Sequence, residues 1–144
     1  MVEQDTVKLL REDDAGVEMG ISAIDEVLEY VSSEDLKNVL SESKDKHIRL
    51  KKEIEELLDS YNDDGKDPNM MAKGMSWMKT NVMLIVNESD ATIADLITDG
   101  CNMGTKSLNK YLNKYEAADE VSKDITKKLI KLEEKLADDV RDYL

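Results

Sequence analysis

Phenylalanine is absent from this chain, and aromatic residues of any kind make up 4% of its 144 positions. Such a core must be built from Leu, Ile, Val and Met, which suits a helical bundle and disfavours a β-sandwich. One cysteine, Cys101, excludes an internal disulfide, and one histidine, His47, excludes most histidine-based metal motifs. Long apolar runs are missing too. The Met-rich stretch after position 69 is interrupted by Lys73 and Lys79 and is too short and polar to span a bilayer. The opening residues, Met1 to Thr6, show neither a basic segment nor an apolar one, so no signal peptide is expected and the cytoplasm is the expected location. Positive charge is scarce: the formal net charge is −13. A surface of that sign repels nucleic-acid backbones and anionic headgroups, so neither nucleic acid nor membrane is an expected partner. The carboxylates also lack the spacing of an EF-hand loop.

What is present is charge, at 37% of residues, threaded by apolar positions three and four apart. Val7, Leu10, Val17, Ile21, Ile24, Leu28 and Val31 mark an amphipathic helix over about 5–31, with Asp14 filling the one gap in the stripe. Ser32 or Ser33 caps the next helix, over 33–61, which carries Leu36, Leu40, Leu50, Ile54, Leu57 and Tyr61, with Ser43 and His47 at the remaining core positions. So short a link makes these two helices antiparallel neighbours. A third helix, over 89–116, carries Ile93, Leu96, Gly100, Met103, Ser107 and Tyr111. Asp119 then caps a fourth, over 119–143, whose seam runs Val121, Ile125, Leu129, Leu132, Leu136, Val140 and Tyr143.

Between the pairs lies 62–88, which opens on the densest turn cluster of the chain, Asn62 to Asn69, with the sole proline, Pro68. Met71, Met75, Met78, Val82 and Ile85 then predict a short fifth helix over about 70–86. Extended and helical parts together reach roughly 54 Å, more than the roughly 43 Å of the second helix. The stretch is therefore long enough to return the chain to the end where the second helix began, and the whole chain makes a single domain. That register brings Gly16 opposite Gly104 and Gly20 opposite Gly100. A mid-helix glycine costs about 1 kcal/mol relative to alanine. Either the two backbones approach closely there, or the four glycines are unrelated.

Two helical hairpins joined by a long crossover form the plan of the ferritin-like four-helix bundles. The whole chain, including Asp67-Pro68-Asn69 through Gly74-Met75-Ser76-Trp77 and the run Thr98-Asp99-Gly100-Cys101-Asn102-Met103-Gly104, resembles small bacterial proteins assigned to that superfamily. The resemblance implies an all-α, ferritin-like antiparallel four-helix bundle with a long crossover containing a short fifth helix. It does not imply ferroxidase or oxygenase activity. Metal-loaded members use a Glu from each of two helices and a Glu-x-x-His from each of the others. Here Lys44 precedes His47 by three, and the fourth helix has no histidine.

Three candidate sites remain. His47 lies on the core stripe with Asp14 and Glu18 at its level on the first helix, Cys101 or Asn102 on the third, and Glu133 or Glu134 on the fourth. A metal set of His47, Asp14, Glu18 and Glu134 could take iron, manganese or zinc. The alternative is a buried histidine hydrogen-bonded to Asp14 or Tyr111, which fixes helix register. Cys101 is read as a small buried hydrophobe, with a thiol nucleophile as the alternative. Met75, Trp77, Met78 and Val82 either line the core or offer an adaptable face to a partner. The leading functional expectation is a non-enzymatic bundle with no cofactor, which acts by binding a protein partner or a second copy of itself. A metal-binding or metal-storage protein centred on His47 is the next, and a thiol-dependent enzyme the third.

Overall fold

A computed structural model describes residues 2–63 and 89–144. Among them four helices form: α1 (Val2–Leu28), α2 (Glu34–Ser60), α3 (Asp90–Lys114) and α4 (Glu120–Val140), the last closed by a 3-10 turn at Arg141–Tyr143. No strand occurs among the described residues. Helix α1 packs chiefly on α2 and α3 chiefly on α4, while α2 meets α4 and α1 meets α3. The four therefore stand in a square, in the order α1, α2, α4, α3.

Hydrogen bonds at the two ends fix the directions. At one end Arg11 of α1 holds the Asp63 carboxylate after α2 through Nε, at 3.0 Å, and through Nη2. At the same end the turn between α3 and α4 donates to α1: Ala117 N–H to Asp5 at 3.1 Å and Asp119 N–H to the Thr6 hydroxyl at 2.8 Å. At the other end the Asp90 carboxylate, at the start of α3, accepts the Ser32 and Ser33 amides of the α1–α2 turn, at 2.8 and 2.9 Å. Helix α3 thus starts where α2 starts, and every neighbouring pair in the square is antiparallel. The connection through 64–88, including the expected crossover and fifth helix, lies outside the described residues.

Capping explains where the helices begin. The Ser33 hydroxyl accepts the Leu36 amide at 3.2 Å, and the Asp119 carboxylate accepts the Ser122 amide at 2.8 Å, each satisfying a donor that the first turn of a helix leaves unpaired. Helix α1 ends at Leu28, earlier than the apolar spacing predicts, because Tyr30 and Val31 turn back on Val27 and Leu28. The amides of Ser32 and Ser33 are then free to bond Asp90, while Val31 stays buried.

The core falls into two halves along the bundle. The half near the α1–α2 turn gathers Ile24, Val27, Leu36, Leu40, Ile93, Ile97 and Val140. The other gathers Leu10, Val17, Ile54, Leu58, Leu108, Ile125 and Leu129. Between the halves sits a polar layer.

Candidate functional site

That polar layer is made by α2 and α4. Helix periodicity puts His47 on the buried stripe of α2 between Leu40 and Leu50, and its side chain is fully buried. On α4 the fourfold spacing Ile125, Leu129, Glu133 places an acid on the same buried face. His47 Nε2 lies 2.6 Å from Glu133 Oε1. The other ring nitrogen, Nδ1, lies 2.7 Å from the carbonyl oxygen of Ser43, one turn earlier. A carbonyl only accepts, so Nδ1 carries a proton and donates it. Burial opposes a charge on the imidazole. The hydrogen bond and negative charge of Glu133, with the Ser43 carbonyl, outweigh burial and hold the His47 pKa above its ordinary value of 6.5. The layer is thus an imidazolium–carboxylate pair, with both ring nitrogens engaged.

Gly20 of α1 makes room for it. A Cβ at that position would stand 2.9 Å from His47 Cδ2 and 3.0 Å from Nε2, inside contact distance. A Cβ at Gly104 of α3 would stand 3.7 Å from Glu133 Oε2, and one at Gly16 would stand 3.9 Å from Leu129 Cδ2. The close backbone approach expected from these glycines is not what forms. What comes nearest to Gly16, Gly20 and Gly104 is side chains of α2 and α4. Together with Gly100, they wall a cavity of about 190 Å³ between α1 and α3.

The cavity is lined mainly by apolar and small side chains, Ala15, Met19, Ile97 and Leu108 among them, with His47 and Glu133 at its floor. Two other polar groups matter. Cys101 is buried, and burial together with the negative charge of Glu133, to which its thiol donates, pushes its pKa far up and keeps it protonated. Tyr111 donates its hydroxyl to Glu12 of α1; burial and that carboxylate raise the tyrosine pKa as well. Neither lysine nor arginine lines the cavity among the described residues.

The four residues of the expected metal set do not converge. His47 meets Glu133, while its neighbour Glu134 is exposed, pointing away from the core. Glu18 binds Lys51 of α2, and the Asp14 carboxylate acts on that same lysine. Glu18 is thus taken by a cation and turned from the histidine. No group of three or more His, Cys, Asp or Glu side chains that could hold a metal occurs among the described residues. Tyr111 and Asp14, offered as partners for a register-fixing histidine, are not the partners it takes: its ring nitrogens go to Ser43 and Glu133, and Tyr111 goes to Glu12. Cys101 is buried beside Glu133, and burial with that negative charge opposes the thiolate a nucleophile needs. Asn102 is exposed. Met75, Trp77, Met78 and Val82 lie outside the described residues.

Sequence reasoning left one feature here undecided and missed another. Glu133 rather than Glu134 was marked by its four-residue step from Leu129, the same spacing that defines the α4 seam. The second is Asp13, fully buried on α1, which accepts the Thr126 hydroxyl at 2.7 Å. Its position became visible only once Thr6, Leu9 and Asp13 were seen to share the buried face with the Leu10 stripe. Among the described residues no helix is long and apolar enough to cross a membrane. No protein-family model, curated protein or solved structure matches this chain.

Proposed function

We propose that this chain is a non-enzymatic binding protein on the ferritin-like plan, which holds a small apolar molecule in the cavity between α1 and α3. The observation that carries the reading is the cavity itself, at about 190 Å³. An engineered apolar cavity of about 150 Å³ is enough to take up benzene. Left empty, an apolar space of this size forfeits packing worth on the order of 4 kcal/mol. The mid-helix glycines that wall it each add about 1 kcal/mol of helix cost. Residues that keep a space open at such expense are explained most simply by an occupant.

The chemistry around the cavity favours holding over reacting. The thiol of Cys101 is protonated and hydrogen-bonded, and the imidazole of His47 uses both nitrogens within the fold. The ferritin-like plan is supported by the end contacts, which set Asp63 and Asp90 at opposite ends of the bundle. Nothing among the described residues favours the metal-storage alternative.

Toluene, a neutral probe of suitable size, tests the reading by amide-resolved NMR titration of the full chain. Saturable shifts centred on Gly16, Gly20, Gly100 and Gly104 are expected. A Gly16→Leu variant, whose side chain enters the cavity, stays folded and loses them. Absence of saturable shifts, or equal shifts in the filled variant, overturns the reading and turns attention to residues 64–88 as the natural filling of the space.

A further inference from the structure

The cavity, the buried acids, the free thiol and the exposed apolar side chains all bear on what this protein could bind. The exposed large hydrophobics among the described residues are Val2, Met103, Val121 and Leu144, and of these Met103 lines the cavity. Cys101 is sealed beside Glu133, and Asp13 is buried against Thr126, away from the cavity lining. The charge pattern of the cavity says more.

Resting on the cavity reading above, we propose that the ligand is an apolar amine: a hydrocarbon or aromatic body of about six to ten non-hydrogen atoms, scaled from the benzene-sized case, bearing one ammonium group that the Glu133 carboxylate receives. Three observations select this class. First, two carboxylates, Glu133 and Glu12, line the cavity, and no lysine or arginine among the described residues does. His47, which also lines the cavity, already uses both ring nitrogens on the Ser43 carbonyl and Glu133, so an anionic ligand would meet like charge with no free cation to neutralise it.

Second, Glu133 has acceptor capacity to spare. An ionised carboxylate offers roughly four acceptor directions. The His47 imidazolium and the Cys101 thiol account for two. Glu133 Oε2 lies on the Gly104 side, where the missing side chain leaves the wall of the cavity open. An ammonium placed there donates to a charged oxygen at short range, a contact about twice as strong as one between neutral groups.

Third, the remaining wall is apolar and suits the body of the ligand rather than its head. Ala15, Met19, Ile97 and Leu108 offer no hydrogen-bonding side chain. The net charge of −13 works in the same direction at longer range, concentrating cations near the mouth. Ligand shape is set by the hydrocarbon wall, and ligand charge by one buried acid.

Three probes of nearly equal size separate the two claims: toluene, benzylamine and benzoate, titrated at pH 7 into the full chain, with cavity amide shifts as the readout and the Gly16→Leu variant as background. Benzylamine is expected to bind at least about tenfold more tightly than benzoate, with toluene between them. Glu133→Gln should narrow the gap between benzylamine and benzoate. Because that change also weakens the His47 pair, Glu12→Gln provides a second variant that leaves the pair intact and narrows the gap less. Toluene binding with no preference between amine and acid leaves the cavity reading standing and overturns the amine assignment. Failure of all three probes overturns both. A preference undiminished in Glu133→Gln overturns the role of Glu133.

Discussion

Asp13 and Glu133 are both buried carboxylates, carried by helices that meet across the bundle, and the interior treats them differently. Glu133 faces a buried imidazolium at 2.6 Å and takes the Cys101 thiol as well. Asp13 has one hydroxyl, that of Thr126 at 2.7 Å, while its Oδ1 finds no hydrogen-bond partner among the described residues. Burial, only partly relieved by Thr126 and reinforced by the adjacent charges of Glu12 and Asp14, lifts the Asp13 pKa well above 3.8. One acid is therefore held in a buried pair, and the other is driven toward its protonated form. Partners rather than depth decide which of the two states a buried acid adopts.

The largest effect should follow from removing one half of the paired site. His47→Leu strands Glu133 in the interior and is expected to lower stability by about 3 kcal/mol, the usual cost of breaking a buried ion pair from one side. Changing both residues together, His47→Leu with Glu133→Leu, should recover most of that loss, because apolar replacements of similar volume suit a buried pair's site. Urea unfolding of the two variants measures this. A double variant as unstable as the single would show that the pair contributes more than mutual neutralisation.

The two acids also leave different marks on stability as a function of pH. The pKa of His47 is raised on folding, so its contribution is fully present below 6.5 and is lost as pH climbs through the folded value. Asp13 is an acid with a raised folded pKa, so its penalty is absent below 3.8 and grows as pH rises from there to its folded value. Both make the protein less stable at higher pH, the Asp13 loss setting in above 3.8 and the His47 loss above 6.5. Asp13→Asn keeps a group able to bond Thr126 and should flatten the acidic window, gaining about 1 kcal/mol at pH 7. Glu133→Gln should flatten the window that opens at 6.5. If either variant removed the slope belonging to the other, the two sites would be coupled.

The smallest expected effect tests the room that the glycines provide. Gly20→Ala forces a methyl to within 2.9 Å of the His47 ring and should cost about 1 kcal/mol or more despite the better helix former. Gly16→Ala meets Leu129 at 3.9 Å, an ordinary contact, and should gain several tenths of a kcal/mol, up to about 1 kcal/mol. Thermal denaturation of the two side by side decides whether the paired site, rather than α1 itself, requires glycine.

The helices were legible because periodicity and capping speak locally: the Leu36–Leu40–Leu50 stripe, the Ser33 cap and the Asp119 cap each need only a few neighbouring residues. The placement of His47 on a buried stripe was legible for the same reason. Its partner was not. Glu133 and Glu134 differ by one position, a rotation of about 100° on a helix; level along the bundle does not separate them, and only the four-residue step from Leu129 along the α4 seam does. Asp14 and Glu18 were assigned to the histidine by level along the bundle, which fixes height but not direction, and Glu18 pairs with Lys51 instead. The glycines pointed to the right neighbourhood, since all four wall one cavity. Spacing cannot tell a backbone contact from a space, because both need a missing side chain.

Two hairpins of similar length can in principle be assembled in either of two orientations, head to head or turned end for end. Asp90 weighs on that choice. By accepting both amides of the Ser32–Ser33 turn, its carboxylate acts as a key that matches only one end of the first hairpin. The inverted assembly would leave that acid facing the Asp63 end, where Arg11 already has its partner, and would move Glu133 off the level of His47. A single surface carboxylate thereby helps to assign the polarity of the whole bundle, long before any ligand is involved.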